Sequence, residues 1–419
     1  MAYNVAMTPG RFRGSVTVPP SKSLLHRALF CAAFAQGTSD IGPRHDCDDV
    51  LDTLRVLKAL GATIVSHDKG YRVTGINTLK KTVALSIRAS ATTLRFLVPL
   101  LAATETVATI ALGPSLVNRP LSTYEKLFGH GVKKQGGTLI VDASLPDGNI
   151  VLDALESSQV LSGLLLAFAV SQSTASIHVT SLPSAGYVAL TEAMLLHAGV
   201  RVVRENDGYR IEPSSTLNPF TIMVEGDASH AALWLAGSVL GGPLTVKGVA
   251  ENSLQADAIF STLLSSLGVK IENKDGHLTA FPGRVRAFTY SVDQHPDLAF
   301  ALALLALVAD GPCVLTHTQR LMMKESNRVD AIVSSLQALG VSATHTTDTI
   351  TIHPLRSLRG GVELDARSDH RLAMMLALCA PLLDGEIVIT GADAIDKSYP
   401  DFFSHYRALG PEVRRRKGR

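Results

Sequence analysis

The chain has 419 residues, 46% of them apolar and only 5% aromatic, with a formal net charge of +2. That length supports two or more domains with large cores, and the near-neutral charge argues against nucleic acid or an anionic membrane as the partner. Cys31, Cys47, Cys313 and Cys379 are scattered, with no CxxC pair, so neither a disulfide framework nor a structural zinc site is indicated.

Met1 to Gly14 lacks an apolar signal core. The longest apolar run, Leu298 to Ala309, is too short for a bilayer core of about 30 Å. A cytoplasmic protein is expected. The first strand signal, GSVTVP, runs into 21-SKSLLHRALFCAAF-34, a helix that is apolar on nearly every side after its first turn. Five later segments repeat this type: 91-ATTLRFLVPLLAA-103, 157-SSQVLSGLLLAFAV-170, 227-DASHAALWLAGSVL-240, 295-HPDLAFALALLALVA-309 and 368-SDHRLAMMLALCAPLL-383. A helix without a polar face is expected to be buried all round. In phase with them run six amphipathic helices ending in Gly61, Gly131, Gly199, Gly268, Gly340 and Gly410, a period of roughly 70 residues. Alternating β-type runs lie between: TVATIAL, ASIHVTS, PFTIMVEG, PLTVKG, CVLTHT, ITIHP and EIVITG. One unit reads as βαβαββ, and six units imply two similar halves, each with three buried helices in one core. The basic tail RRRKGR reads as a solvated terminus.

The entrances of the apolar helices carry Lys22, Arg27, Arg95, Gln159, Asp297 and Arg371. Ordinary capping accounts for the serines and threonines nearby. It does not account for Lys and Arg in first turns, where the helix dipole disfavours cations. Several positive helix ends facing one cleft would form a site for an anionic ligand.

The segments SKSLLHR, TTLRFL, NRPLSTYEKL, SSQVLSGLL, SAGYVALT, GDASHAA, HPDLAFALA, KESNRVDAI, SDHRLAM and KSYPDFF, in this order, resemble the successive signatures of the 5-enolpyruvylshikimate-3-phosphate synthase family. The resemblance implies a two-domain inside-out α/β barrel of six βαβαββ repeats, with the active site in the interdomain cleft. One domain would span residues 24–226 and the other residues 1–23 with 227–419. It implies transfer of the enolpyruvyl group of phosphoenolpyruvate to the 5-hydroxyl of shikimate 3-phosphate, with loss of phosphate. No metal and no organic cofactor are implied, and a monomer is expected.

By this resemblance Lys22 contacts both substrates and is a possible proton carrier. Ser23, Arg27, Ser157, Ser158, Gln159, Ser184, Tyr187, Asp297 and Lys324 match contacts to shikimate 3-phosphate. Ala91, Thr92, Arg119, Gln159, Arg328, His370, Arg371 and Lys397 match the surroundings of phosphoenolpyruvate. A planar guanidinium grips carboxylate or phosphate through two parallel hydrogen bonds, so Arg119, Arg328 and Arg371 would neutralise most of that ligand's charge. Catalysis falls to Asp297, Glu325, Lys22 and Lys397. The methylene carbon of the enol must gain a proton and the attacking hydroxyl must lose one. Asp297 is the better base; Glu325 and Lys22 are both open as the acid.

The family commonly has Gly-Asn-(Ser or Ala)-Gly-Thr where this chain has Arg88, Ala89, Ser90, Ala91 and Thr92. An asparagine side chain is missing, and the Ala91 methyl would narrow a place where backbone approaches ligand. Poor inhibition by glyphosate, the longer anion, is expected. Arg88 either contacts an anion or points to solvent. Asn327 replaces the Asp common in KESDR and is expected to support its neighbours. Two rivals are a UDP-N-acetylglucosamine enolpyruvyl transferase and a non-catalytic anion-binding homologue. SKS, SSQ and SDHR argue against the first; intact Lys22, Asp297, Glu325 and Lys397 argue against the second.

Overall fold

The computed structural model describes residues 3–211 and 216–417. It divides into two compact units, Met1–Pro19 with Glu225–Arg419, and Pro20–Val224. Residues 20–23, Lys22 and Ser23 among them, therefore go with the second unit rather than the first, and residues 225–226 go with the first.

Each unit contains three four-stranded sheets, and all six share one topology. In one of them Thr82–Ile87 runs parallel to Val107–Leu112, with Leu85 opposite Ile110. Val107–Leu112 pairs antiparallel with Thr138–Val141, which pairs antiparallel with Val132–Gln135. Burial alternates strictly along Thr82–Ile87, as it must when one face of a sheet is packed and the other solvated. The helix Ala91–Ala103 connects the parallel pair, giving the expected βαβαββ unit.

Three of the six units are not continuous in sequence. The helix Lys22–Phe34 leads into Thr38–Gly42, whose parallel neighbour is Thr221–Met223, from the far end of the second unit. In the first unit Gly14–Thr17 pairs parallel with Leu244–Lys247, and Tyr3–Met7 lies between Ile387–Thr390 and Val413–Lys417. The chain passes from one unit to the other between Pro19 and Pro20 and returns between Val224 and Glu225. The basic tail is thus not a free terminus: 413–417 form an edge strand, and Gly418 and Arg419 lie outside the described residues.

The apolar helices form the cores. Every residue of Ala228–Gly241, Ala299–Leu307 and His370–Leu378 is buried in the first unit. Trp234 packs there between Phe12 and Phe402, with ring centroids 6.1 and 5.0 Å away. In the second unit the corresponding helices are Lys22–Phe34, Ala91–Ala103 and Ser158–Ser171. The last two pack closely because Gly163 has no side chain; a Cβ there would lie 2.5 Å from the Arg95 carbonyl oxygen. That same carbonyl has no donor inside its own helix, since position 99 is proline. The Tyr124 hydroxyl donates to it instead, at 2.6 Å.

Five of the six amphipathic helices end at the expected glycine in a left-handed conformation, for example Gly61 at φ 119°. The exception is the helix Ser122–Phe128. Its left-handed residue is Gly129, and Gly131 belongs to the 3-10 turn that follows.

Candidate active site

In the second unit the entrances of the three buried helices carry Lys22 and Ser23, Ala91 and Thr92, and Ser157, Ser158 and Gln159. The Lys22 ammonium donates to Asp49 Oδ2 at 2.7 Å. The Gln159 amide bridges the other two entrances: Nε2 donates to Thr92 Oγ1 at 2.8 Å and Oε1 accepts from Arg95 at 2.9 Å. Ser157 caps its helix by accepting the Gln159 N–H. Ser184 is held at φ 58°, a left-handed conformation uncommon outside glycine, next to the helix Gly186–His197. Arg119 is buried just beyond the turn Pro114–Val117.

Arg27 is almost completely buried, and its guanidinium serves the fold. It donates to the Ser23 carbonyl at 2.7 Å, the Tyr187 carbonyl at 2.6 Å and Thr191 Oγ1 at 2.8 Å. It also stacks 5.2 Å from the Phe96 ring centroid. Burial pulls its pKa down to about 10. These bonds tie the first buried helix to the helix bearing Tyr187, so Arg27 fixes the position of Ser23 and Tyr187.

The first unit gathers Asp297, Lys324, Glu325, Arg328 and Arg371. One guanidinium organises three carboxylates: Arg328 donates to Asp297 at 2.7 Å, Glu325 at 2.8 Å and Asp369 at 2.8 Å. Arg371 holds the other Asp297 oxygen at 2.9 Å. Asp369 is fully buried and also caps its helix through the Arg371 N–H. Lys324 and Glu325 lie in a turn rather than on a charged helix face; only Arg328 of KESNR falls in the helix Arg328–Ala338. Asn327 is that helix's N-cap and accepts from the Asp330 N–H, the supporting role expected of it. His370 is buried beside Asp369, and Lys397 ends the 3-10 turn Ala392–Lys397, which packs on the helix His370–Leu378.

Asp297 sits in the 3-10 turn Pro296–Leu298, not at an α-helix N-cap, so cations rather than capped N–H groups stabilise it. Burial alone would raise its carboxyl, but Arg371, Arg328 and Lys324 outweigh burial and hold it far below the usual carboxylate range. Lys324 responds in the opposite sense. Burial first, then repulsion from Arg320 and Arg328, pushes its amine down to about 7, against the pull of Asp297 and Glu325. Asp257 stands close enough to feel Asp297: burial and that negative charge push its carboxyl up to about 7 while it accepts the Ser229 hydroxyl at 2.5 Å. The cluster thus holds an ionised carboxylate, a second carboxyl that titrates near neutrality and an amine that does the same. That combination suits proton transfer next to a bound anion.

Asp49, Asp52, Asp257 and Asp369 escaped sequence reasoning. Asp49 lies in the first turn of the helix Asp48–Leu60, where an acid reads as a dipole complement, and Asp52 lies in the next turn, within an otherwise ordinary amphipathic pattern. Asp369 read as a cap, which it is, but a cap leaves one carboxylate oxygen for Arg328. Arg88 is exposed, and its side chain has no partner among the described residues. Among those residues no helix is long and apolar enough to cross a membrane.

Residues 7–406 match the family model described as EPSP synthase (3-phosphoshikimate 1-carboxyvinyltransferase). A 3-phosphoshikimate 1-carboxyvinyltransferase of Clostridium kluyveri is 34% identical, with 98% of each chain covered. An EPSP synthase structure from Acinetobacter baumannii superposes with a TM-score of 0.81 at 25% identity, covering 99% of this chain and 100% of that one. The enolpyruvyl transferase NikO from Streptomyces tendae reaches the same TM-score at 20% identity over the whole of both chains, a likeness of fold alone.

Proposed function

The chain belongs to the EPSP synthase family, and from that premise we propose that it acts as a 3-phosphoshikimate 1-carboxyvinyltransferase on phosphoenolpyruvate and shikimate 3-phosphate. The observation that carries the chemistry is Asp297, locked as a carboxylate between Arg328 and Arg371, with Glu325 on the same guanidinium.

In this reading Asp297 takes the proton of the 5-hydroxyl as its oxygen attacks the enol carbon. The Lys22 ammonium, or Glu325 in its protonated form, delivers a proton to the methylene carbon. The tetrahedral adduct then returns a proton from the methyl group, reforms the double bond and expels phosphate. Preorganised cations stabilise the leaving charge, because they need no reorientation as it develops. Lys22, Arg119, Arg371 and Lys397 are assigned to that task, with Ala91, Thr92, Gln159 and His370 completing the phosphoenolpyruvate contacts. Arg328 spends three of its five N–H donors on carboxylates, so two remain for phosphoenolpyruvate. Ser23, Ser157, Ser158, Ser184, Tyr187 and Lys324 are assigned to shikimate 3-phosphate, with Arg27 shaping that pocket from behind. The reading includes a monomer working in the cytoplasm; four free, buried thiols suit a reducing compartment.

Phosphate release by the purified protein tests the reading. It should require both phosphoenolpyruvate and shikimate 3-phosphate, and UDP-N-acetylglucosamine should not replace the second. Asp297→Ala should stay folded and lose turnover by about a thousandfold. Near-normal rates in that variant would remove the base assignment, and no release by the native protein would remove the function.

A further inference from the structure

Three consecutive backbone N–H groups converge at the entrance of the helix Ala91–Ala103, an arrangement that ordinarily binds an anion. Here the anion belongs to the protein. Asp52, fully buried on the helix Asp48–Leu60, accepts the N–H of Arg88 at 3.1 Å, of Ala89 at 2.8 Å and of Ser90 at 3.0 Å, all at Oδ2. Its Oδ1 is taken by Arg55 at 2.6 Å. These are the residues of the unusual RASAT segment, immediately ahead of Ala91 and Thr92.

The same helix holds the neighbouring parts. Asp49, Asp52 and Thr53 stand at i, i+3 and i+4, on one helical face. Asp49 pairs with Lys22. Thr53 Oγ1 lies 2.7 Å from His26 Nδ1 and 2.7 Å from Thr93 Oγ1, and Ser90 Oγ accepts the N–H of Thr93 at 3.1 Å. One helical face therefore fixes the entrances of two buried helices against each other.

We propose that Asp52 is a positioning residue for phosphoenolpyruvate: its buried carboxylate occupies the three N–H groups of residues 88–90 and thereby sets Ala91 and Thr92 at the contact surface. This rests on the activity proposed above. The N–H groups are committed internally, so the anionic groups of the substrate must be met by side chains such as Lys22 and Arg119. A rigid, short-reach entrance follows, with the segment held from behind by a carboxylate.

The test is steady-state kinetics of Asp52→Ala and Asp52→Asn, with amide hydrogen exchange on both. In Asp52→Ala the KM for phosphoenolpyruvate should rise about tenfold, while kcat and the KM for shikimate 3-phosphate stay within about twofold. Asp52→Asn keeps a carbonyl acceptor and should recover most of the loss; it also carries the test if the alanine variant does not fold. Exchange over residues 88–93 should quicken about tenfold in the alanine variant, with 158–171 unchanged. Equal rises in both KM values, a fall in kcat alone, or unchanged exchange over 88–93 would overturn the assignment. Native protein that turns over normally separates these outcomes from failure of the activity; if it is inactive, the exchange result still decides whether Asp52 holds the segment.

Discussion

Replacing Arg328 by methionine removes the cation that three carboxylates share while leaving a side chain of comparable bulk. Arg328 and Asp369 are 1% and 0% exposed, and Asp297 and Glu325 keep 19% and 16%. Removing one partner of a buried ion pair generally costs about 3–5 kcal/mol, because the other charge is left without compensation. Asp297 retains Arg371 and both Asp297 and Glu325 retain some solvent, so the three losses do not sum, and the buried Asp369 dominates. An equilibrium urea titration at pH 8 should show the first unit destabilised by about 3–5 kcal/mol. The sign with pH follows from linkage. In the native protein Asp297 has a depressed pKa, so its contribution is present above the unfolded value of about 4 and is lost only as pH falls through the folded value. Without Arg328 the buried carboxylates favour the neutral form and take up protons on acidification, so the deficit should narrow between pH 8 and pH 5. A deficit below about 1 kcal/mol at pH 8, or one equal at both pH values, would refute the reasoning.

Lys324 has its amine pushed down to about 7, and a bound phosphate would favour its ammonium form. Shikimate 3-phosphate binding at pH 8 should therefore take up about one proton, measurable by calorimetry in buffers of different ionisation enthalpy, and Lys324→Met should abolish that uptake. Tyr124→Phe leaves the buried Arg95 carbonyl without its donor and should cost about 1–3 kcal/mol in urea unfolding; a neutral result would mean that another donor reaches it. Glyphosate should inhibit the native protein poorly, and Ala91→Gly should increase sensitivity, read as a lower inhibition constant against phosphoenolpyruvate. Inhibition of the native protein near the Michaelis constant of that substrate would remove the steric argument.

Much of this protein was legible from one-dimensional patterns. Six all-apolar helices could be nothing but cores, and six glycine-ended helices set the repeat, because burial and backbone conformation are written in residue type and spacing. The meeting of Arg95 with Gln159 followed from their shared place at helix entrances. Gly131 misled because two glycines stand close together in FGHGV, and only the backbone path chose Gly129. The tail RRRK gave no strand signal, since its pairing with Tyr3–Met7 spans nearly the whole chain. The internal partners of Arg27, the Ser23 and Tyr187 carbonyls and the Thr191 hydroxyl, carry no sequence signature.

Residue order by itself determined the repeat, the apolar cores and the cationic character of the helix entrances, because those depend on local composition and short spacing. Tertiary structure alone decided that Arg328 would gather Asp297, Glu325 and Asp369, and that Asp52 would fill the N–H cluster ahead of Ala91. Hydrogen bonds at about 3 Å depend on distances between elements far apart in the chain, and no periodicity encodes those.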